Sequence, residues 1–260
     1  RILVVGSHGS LLSVKKGTYP FVTSSDCSLD GTIEGAGLRK EHVDGVLGIA
    51  KFPYMTRVGE GPFPTEFGGE KSAEHCPTAT FDSETKASPD VSVDDPDEFL
   101  RGVAIRLKGK EYGATTGRAR RTGRFDLPLL RYSVGFTGRD VALTKIDVLD
   151  GADTIEICDR YVYTGPDYWS GEHCFRAGDV IRVASPDPEI LKHCKPHYER
   201  FPGWKTSIRG IREFDQLPAE LRHLIAFIEG AVGVRVVLLS VSKDRDDTIF
   251  VRPLTRLRAR

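Results

Sequence analysis

The sequence predicts an α/β fold with a mostly parallel central sheet and helices on its faces. Strand-length apolar runs such as Val46–Lys51 and Arg235–Val241 recur along the chain. Segments of helical spacing lie between them, most clearly Leu217-Pro-Ala-Glu-Leu-Arg-His-Leu-Ile-Ala-Phe-Ile-Glu229. Strands alternating with helices build parallel sheets covered on both faces. The segments richest in Gly, Thr, Lys and Asp follow the strand-like runs, where ligands bind in open α/β sheets.

In chain order, Ile2–Val5 is expected to be a buried strand running into the turn Gly6-Ser-His-Gly9. Such a turn can cradle phosphate, but it lacks the Lys-Ser/Thr ending of a P-loop. Gly17–Ser25 is rich in turn and hydroxyl residues. Val46–Lys51 reads as a buried strand leading into Met55–Glu66, a loop whose Gly and Pro fix its course. Gly68–Asp97 is polar and acidic and carries Pro77, Pro89 and Pro96, which predicts a mobile excursion or insertion. Its Asp94-Asp95-Pro96-Asp97 end places acids at the positive start of the next helix.

Glu111–Asp126 is expected to be a loop and Leu127–Tyr132 part of a helix. Val141–Val148, Thr154–Cys158 and Arg160–Tyr163 read as strands, and Asp167–Ala184 as further strand and turn. Pro186–His197 and Leu217–Gly233 read as helices. Arg235–Val241 is the last core strand, ending in Ser240-Val-Ser-Lys-Asp-Arg245.

At 260 residues, 39% apolar and 28% charged, the chain has the composition of one large globular domain or two modest ones. Lys plus Arg and Asp plus Glu total 37 each, so no net charge draws the chain to nucleic acid or a membrane surface. Anion binding must come from local clusters. No apolar run approaches the roughly 18–20 residues of a membrane span, and no secretory signal is visible. The scattered Cys27, Cys76, Cys158, Cys174 and Cys194 fit reduced thiols in a cytoplasm. Three of them follow a His directly, but adjacent residues point apart and make poor two-ligand metal units, so no metal site is assigned.

Glu111-Tyr-Gly-Ala-Thr-Thr-Gly-Arg-Ala-Arg-Arg-Thr-Gly-Arg-Phe-Asp126 concentrates hydroxyls, glycines and guanidinium groups in one segment. Arg suits bidentate recognition of carboxylate or phosphate, and Gly lets backbone approach an anion. Such a segment reads either as a clamp for a polyanionic ligand or as a solvated turn. Thr144-Lys-Ile-Asp147 leaves a strand in the T/N-K-x-D pattern that reads guanine, or forms an ordinary surface pair.

Together these segments resemble the adenylosuccinate synthetase family. The matching stretches are Gly17–Ser25, Thr56–Glu66, Tyr112–Arg118 with Arg120–Gly123, Leu143–Gly151, Phe201–Lys205, Leu217-Pro218 and Ser240–Arg245, in the family's order. The resemblance implies one synthetase-like domain over 1–260, partial, with a P-loop NTPase-like core and a variable insertion at about 68–97. It implies a GTP- and magnesium-dependent ligase that phosphorylates O6 of inosine monophosphate (IMP), after which the amine of L-aspartate displaces the phosphate. It further implies a homodimer.

By the same resemblance, Thr23 contacts the IMP phosphate, and Val58 and Gly59 lie near the IMP base. Thr115, Thr116 and Gly117 belong to an aspartate loop, and Arg118 serves the IMP and aspartate side. Arg120 reaches the triphosphate, Lys145 and Asp147 hold guanine, and Ser240 and Ser242 join that base pocket.

Departures accompany the match. The family's G-D-E-G-K-G-K loop, with its catalytic Asp and magnesium ligand, and its downstream His are expected before Arg1, so no catalytic residue is assigned here. The opening at Arg1 fits a chain whose earlier part is missing. Gly6-Ser-His-Gly9 stands where the family has G-A-Q-G, which leaves His8 as a substitute donor to the nucleotide or as a plain turn histidine. Asp26 replaces the usual Asn, and Ser242 and Lys243 replace Gly and Pro of the final loop. Two alternatives stay open: a purine-nucleotide-binding paralogue without catalysis, and a synthetase acting on dGMP. The arginines of 252–260 are expected to form a solvated tail.

Overall fold

A computed structural model describes residues 2–256. Its strands are β1 (Gly48–Lys51), β2 (Tyr54–Arg57), β3 (Arg121–Asp126), β4 (Asp140–Thr144), β5 (Thr154–Tyr163), β6 (Tyr168–Ser170), β7 (His173–Phe175), β8 (Val180–Ile181), β9 (Cys194–Pro202), β10 (Arg235–Ser240) and β11 (Thr248–Phe250). Its α-helices are α1 (Leu29–Gly35), α2 (Gly69–His75), α3 (Phe81–Ala87), α4 (Glu98–Gly109), α5 (Leu127–Thr137), α6 (Pro188–Leu191) and α7 (Ala219–Val232).

Two mixed sheets form the core. The first runs β1-β4-β10-β11, with β1, β4 and β10 parallel and β11 antiparallel. This sheet is the mostly parallel one predicted. Its register sets Lys51 beside Thr144 and Leu143 beside Leu239, so the carboxyl ends of three parallel strands lie together. Helix α7 packs against β9, β10 and α5. It buries Leu221, Leu224, Ile225 and Ile228, the one-face spacing that made it legible. Gly233, at φ 74°, ends it in the left-handed turn that glycine adopts without strain.

The second sheet is mostly antiparallel. It runs β2-β3-β5-β8, with β9 along the other edge of β5, and only the β3–β5 pairing is parallel. The β6–β7 hairpin stands apart as two strands.

Four expectations change. Ile2–Val5 forms no strand and is exposed, because no described strand pairs with it and a lone strand has no ladder to hold it. The expected loop Glu111–Asp126 ends in β3, buried at every position. The helix expected over Pro186–His197 stops after α6, and Cys194–Pro202 pairs along β5 instead. Pro196 cannot sit in a helix interior but is tolerated on this edge strand. The stretch over 68–97, expected as a mobile excursion or insertion, supplies α2 and α3, docked through the buried Glu84.

Of the arginine-rich tail, residues 257–260 lie outside the described residues, as does Arg1. Among the described residues no helix is long and apolar enough to cross a membrane. All five cysteines are free thiols.

Candidate functional site

The carboxyl ends of β1, β4 and β10 gather several of the residues singled out by sequence. β4 exits through Thr144 into Lys145, held in left-handed backbone at φ 65°. There the Lys145 ammonium donates to the Gly109 carbonyl at 2.7 Å. One 3-10 turn later, Arg209 donates to the largely buried Asp147 carboxylate at 3.3 Å. On the neighbouring strand, the Ser240 hydroxyl donates to the Ser242 carbonyl at 2.9 Å, and Ser242 is buried. Arg212 pairs with Asp247 and braces the loop after β10. Lys145, Asp147, Ser240 and Ser242 therefore share one end of one sheet.

Beside them lies a charge cluster that the sequence did not reveal. Glu111 is fully buried and accepts from the Tyr54 hydroxyl at 2.6 Å, the Lys51 ammonium at 2.6 Å and Arg120 Nη1 at 2.9 Å. Lys51 also donates to the Thr56 hydroxyl at 2.7 Å. Burial alone would raise the Glu111 carboxyl. The charge and hydrogen bond of Lys51, with the Tyr54 hydroxyl, outweigh it and hold the carboxyl below its ordinary range. Burial also depresses the Lys51 ammonium, with Glu111 opposing and the nearby Arg120 and Lys145 reinforcing the drop. Three cations thus crowd around one buried carboxylate, an arrangement suited to an added anion.

The guanidinium run divides in two. Arg121 and Arg124 point from β3 into ion pairs: Arg121 to Glu66 at 2.5 Å, and Arg124 to Glu156 at 2.6 Å and Glu98 at 2.5 Å. They hold the scaffold. Only Arg118 and Arg120 remain on the loop side. Thr115, Thr116, Gly117 and Arg118 are exposed on a tight loop closed by Gly117 N–H to the Gly113 carbonyl at 2.8 Å.

A second group gathers around the turn that follows β2. Val58 and Gly59 follow β2 and are exposed, with Gly59 at φ 73°. Arg121 Nη1 donates to the carbonyls of Gly59 at 3.3 Å and Gly61 at 2.7 Å, fixing that turn. The buried Arg57 donates to the Thr18 hydroxyl at 2.9 Å, which ties the segment carrying Thr23 to the same turn. Thr23 itself is half-buried and its N–H donates to the Leu12 carbonyl at 2.8 Å. His8 is exposed, and no hydrogen bond among the described residues joins it to either group.

Sequence reasoning passed over Lys51, Tyr54, Glu111 and Arg209. Lys51 carried a usable signal, as the last residue of a strand predicted to end at the site. Glu111 carried none, because its partners lie up to 60 residues away. Among the described residues no group of three or more His, Cys, Asp or Glu is placed to hold a metal ion.

Comparison with known proteins identifies the relatives of this chain. A family model for adenylosuccinate synthetase matches residues 1–249. The adenylosuccinate synthetase of Pelobacter propionicus is 38% identical over 97% of this chain, which covers 49% of that relative. The Thermodesulfovibrio yellowstonii adenylosuccinate synthetase is 36% identical over 96% of the chain, again 49% of the relative. A solved structure of fully ligated adenylosuccinate synthetase from Plasmodium falciparum superposes with a TM-score of 0.73 at 30% identity, over 95% of this chain and 49% of that one. The chain thus spans about half the length of the curated relatives it matches.

Proposed function

The chain belongs to the adenylosuccinate synthetase family of ligases, and on that premise we propose that it serves the GTP-dependent joining of IMP and L-aspartate into adenylosuccinate. One observation carries the proposal: Lys145, Asp147, Ser240 and Ser242 meet at the carboxyl ends of β4 and β10, with the Lys51–Glu111–Arg120 cluster beside them. The Asp147 carboxylate is the acceptor for the N1–H and exocyclic amine of guanine, and the Lys145 stem packs over the base. Arg120 takes the triphosphate, where a guanidinium matches phosphate geometry and stabilises charge during transfer.

At the turn after β2, Thr23, Val58 and Gly59 receive IMP, with His8 as a further donor to it. Thr115, Thr116, Gly117 and Arg118 form the aspartate loop, which closes over the substrates and excludes water. Magnesium, when bound to the triphosphate, neutralises phosphate charge. Its protein ligands are not among the residues assigned here, and no proton-transfer group is assigned. A second copy of the chain completing the nucleotide site belongs to the same proposal.

Titration calorimetry with GTP and IMP, followed by an assay for adenylosuccinate, tests it. GTP and IMP binding with turnover supports the proposal in full. Binding without turnover restricts the chain to nucleotide binding, and turnover with dGMP but not IMP moves the substrate. Failure to bind any of the three sinks it.

A further inference from the structure

Glu111 and Arg120 close the base of the 112–119 loop twice. The Arg120 N–H donates to the Glu111 carbonyl at 2.8 Å, and its guanidinium donates to the Glu111 carboxylate at 2.9 Å. The same carboxylate oxygen, Oε2, receives Lys51 Nζ at 2.6 Å, while Oε1 is taken by Tyr54. One anion therefore holds two cations side by side, and the pair keeps a net positive charge. Neither cation is spent. An ammonium has three donors, of which Glu111 and Thr56 use two. Arg120 Nε is buried with no partner among the described residues, an orphan donor of the kind a ligand satisfies.

Burying a carboxylate costs free energy that its ion pairs only partly return, so structural stability alone is a poor account of Glu111. We infer that Glu111 is a positioning residue, whose buried carboxylate presents Lys51 and Arg120 as a fixed pair of cations to the phosphates of a bound nucleotide. Lys51, which no sequence motif singled out, is then a phosphate contact. The inference rests on the proposed GTP site and deepens it. Without Glu111 the two cations repel and splay, and the ordering that precedes phosphate binding is lost.

The direction of the effect tests this, because charge alone predicts the opposite. Removing a negative group near phosphates should tighten GTP binding by simple Coulomb reasoning. Positioning predicts that Glu111→Gln weakens it. The 260-residue chain, Glu111→Gln and Lys51→Met are titrated with GTP and with guanosine, which carries the base but no phosphate. Both variants are expected to bind GTP roughly tenfold or more weakly, about 1.4 kcal/mol, with guanosine affinity unchanged. Equal weakening of both ligands, or GTP binding that is unchanged or tighter in Glu111→Gln, overturns the positioning role. Unchanged GTP affinity in Lys51→Met overturns the phosphate contact without depending on the fold of the Glu111 variant. A parent chain that binds guanosine and GTP equally well removes the phosphate site itself. One that binds neither removes the nucleotide site beneath it.

Discussion

Arg106 closes on Glu84 through three hydrogen bonds: Nε to both carboxylate oxygens at 3.0 and 3.1 Å, and Nη2 to Oε1 at 2.6 Å. Both side chains are buried, and Glu84 also accepts from the Tyr112 hydroxyl at 2.5 Å and meets His75 Nε2 at 2.9 Å. This pair docks α3 on α4 and anchors the residue that opens the 112–119 loop.

Breaking such a pair from one side leaves a buried charge unanswered. Glu84→Ala is therefore expected to destabilise the chain by about 3–5 kcal/mol, seen as a lower urea midpoint. Replacing both members by apolar residues, Glu84→Met with Arg106→Leu, should recover much of that loss, because no charge is then stranded. A double variant no more stable than Glu84→Ala would show that the loss is mainly one of packing.

Asp126 gives stability a pH dependence of its own. It caps α5 by accepting from the Leu129 N–H at 3.0 Å and from the Tyr161 hydroxyl at 2.5 Å. Burial pushes its carboxyl up to about 7 from an ordinary 3.8. The folded state therefore favours the protonated acid. Its contribution is complete below about 3.8 and is lost as pH rises to about 7. Glu84 and Glu111 act in the opposite sense. Burial would raise both, but their cationic and hydroxyl partners hold them below the ordinary 4.5, so their stabilisation is lost as pH falls. Comparing urea unfolding of the parent and Asp126→Asn between pH 4 and 8 isolates the first effect. The parent should lose stability relative to the variant by about 1.4 kcal/mol per pH unit until the slope flattens near 7.

If the Asp147 carboxylate reads guanine, it distinguishes GTP from ITP, which lacks the exocyclic amine. Competition binding should favour GTP in the parent chain. In Asp147→Ala that preference should vanish, with GTP weakened by about 1–3 kcal/mol and ITP weakened less. A variant that still prefers GTP would place base recognition elsewhere.

Gly61 tests the second residue group separately. At φ 100°, an added Cβ would lie 2.8 Å from Phe21 Cγ and 2.3 Å from Arg57 Nη2. Gly61→Ala should push apart the 57–61 turn and the segment carrying Thr23. If the turn serves IMP, IMP affinity should drop severalfold or more while GTP affinity holds, because the atoms nearest the added Cβ belong to Phe21 and Arg57 and not to Lys145, Asp147, Ser240 or Ser242. Equal losses for both ligands would tie the two groups into one unit.

Some of this was legible in the residues. Val46–Lys51, Arg235–Val241 and Leu217–Gly233 declared themselves because period and apolar content are local, and the structure keeps them as β1, β10 and α7. The order of the motifs gave the family, and the strand exits gave the end of the sheet where the candidate residues gather. Other features were decided only by tertiary structure. Arg118, Arg120, Arg121 and Arg124 look alike in sequence, yet Arg121 finds Glu66 across 55 residues and Arg124 finds Glu156 across 32, while Arg120 turns to Glu111. Cys194–Pro202 is a strand because β5 lies beside it, and Ile2–Val5 is not one because no described strand does. Periodicity reports which face a side chain takes. Which charge it meets depends on how the chain closes, and the linear sequence does not show that.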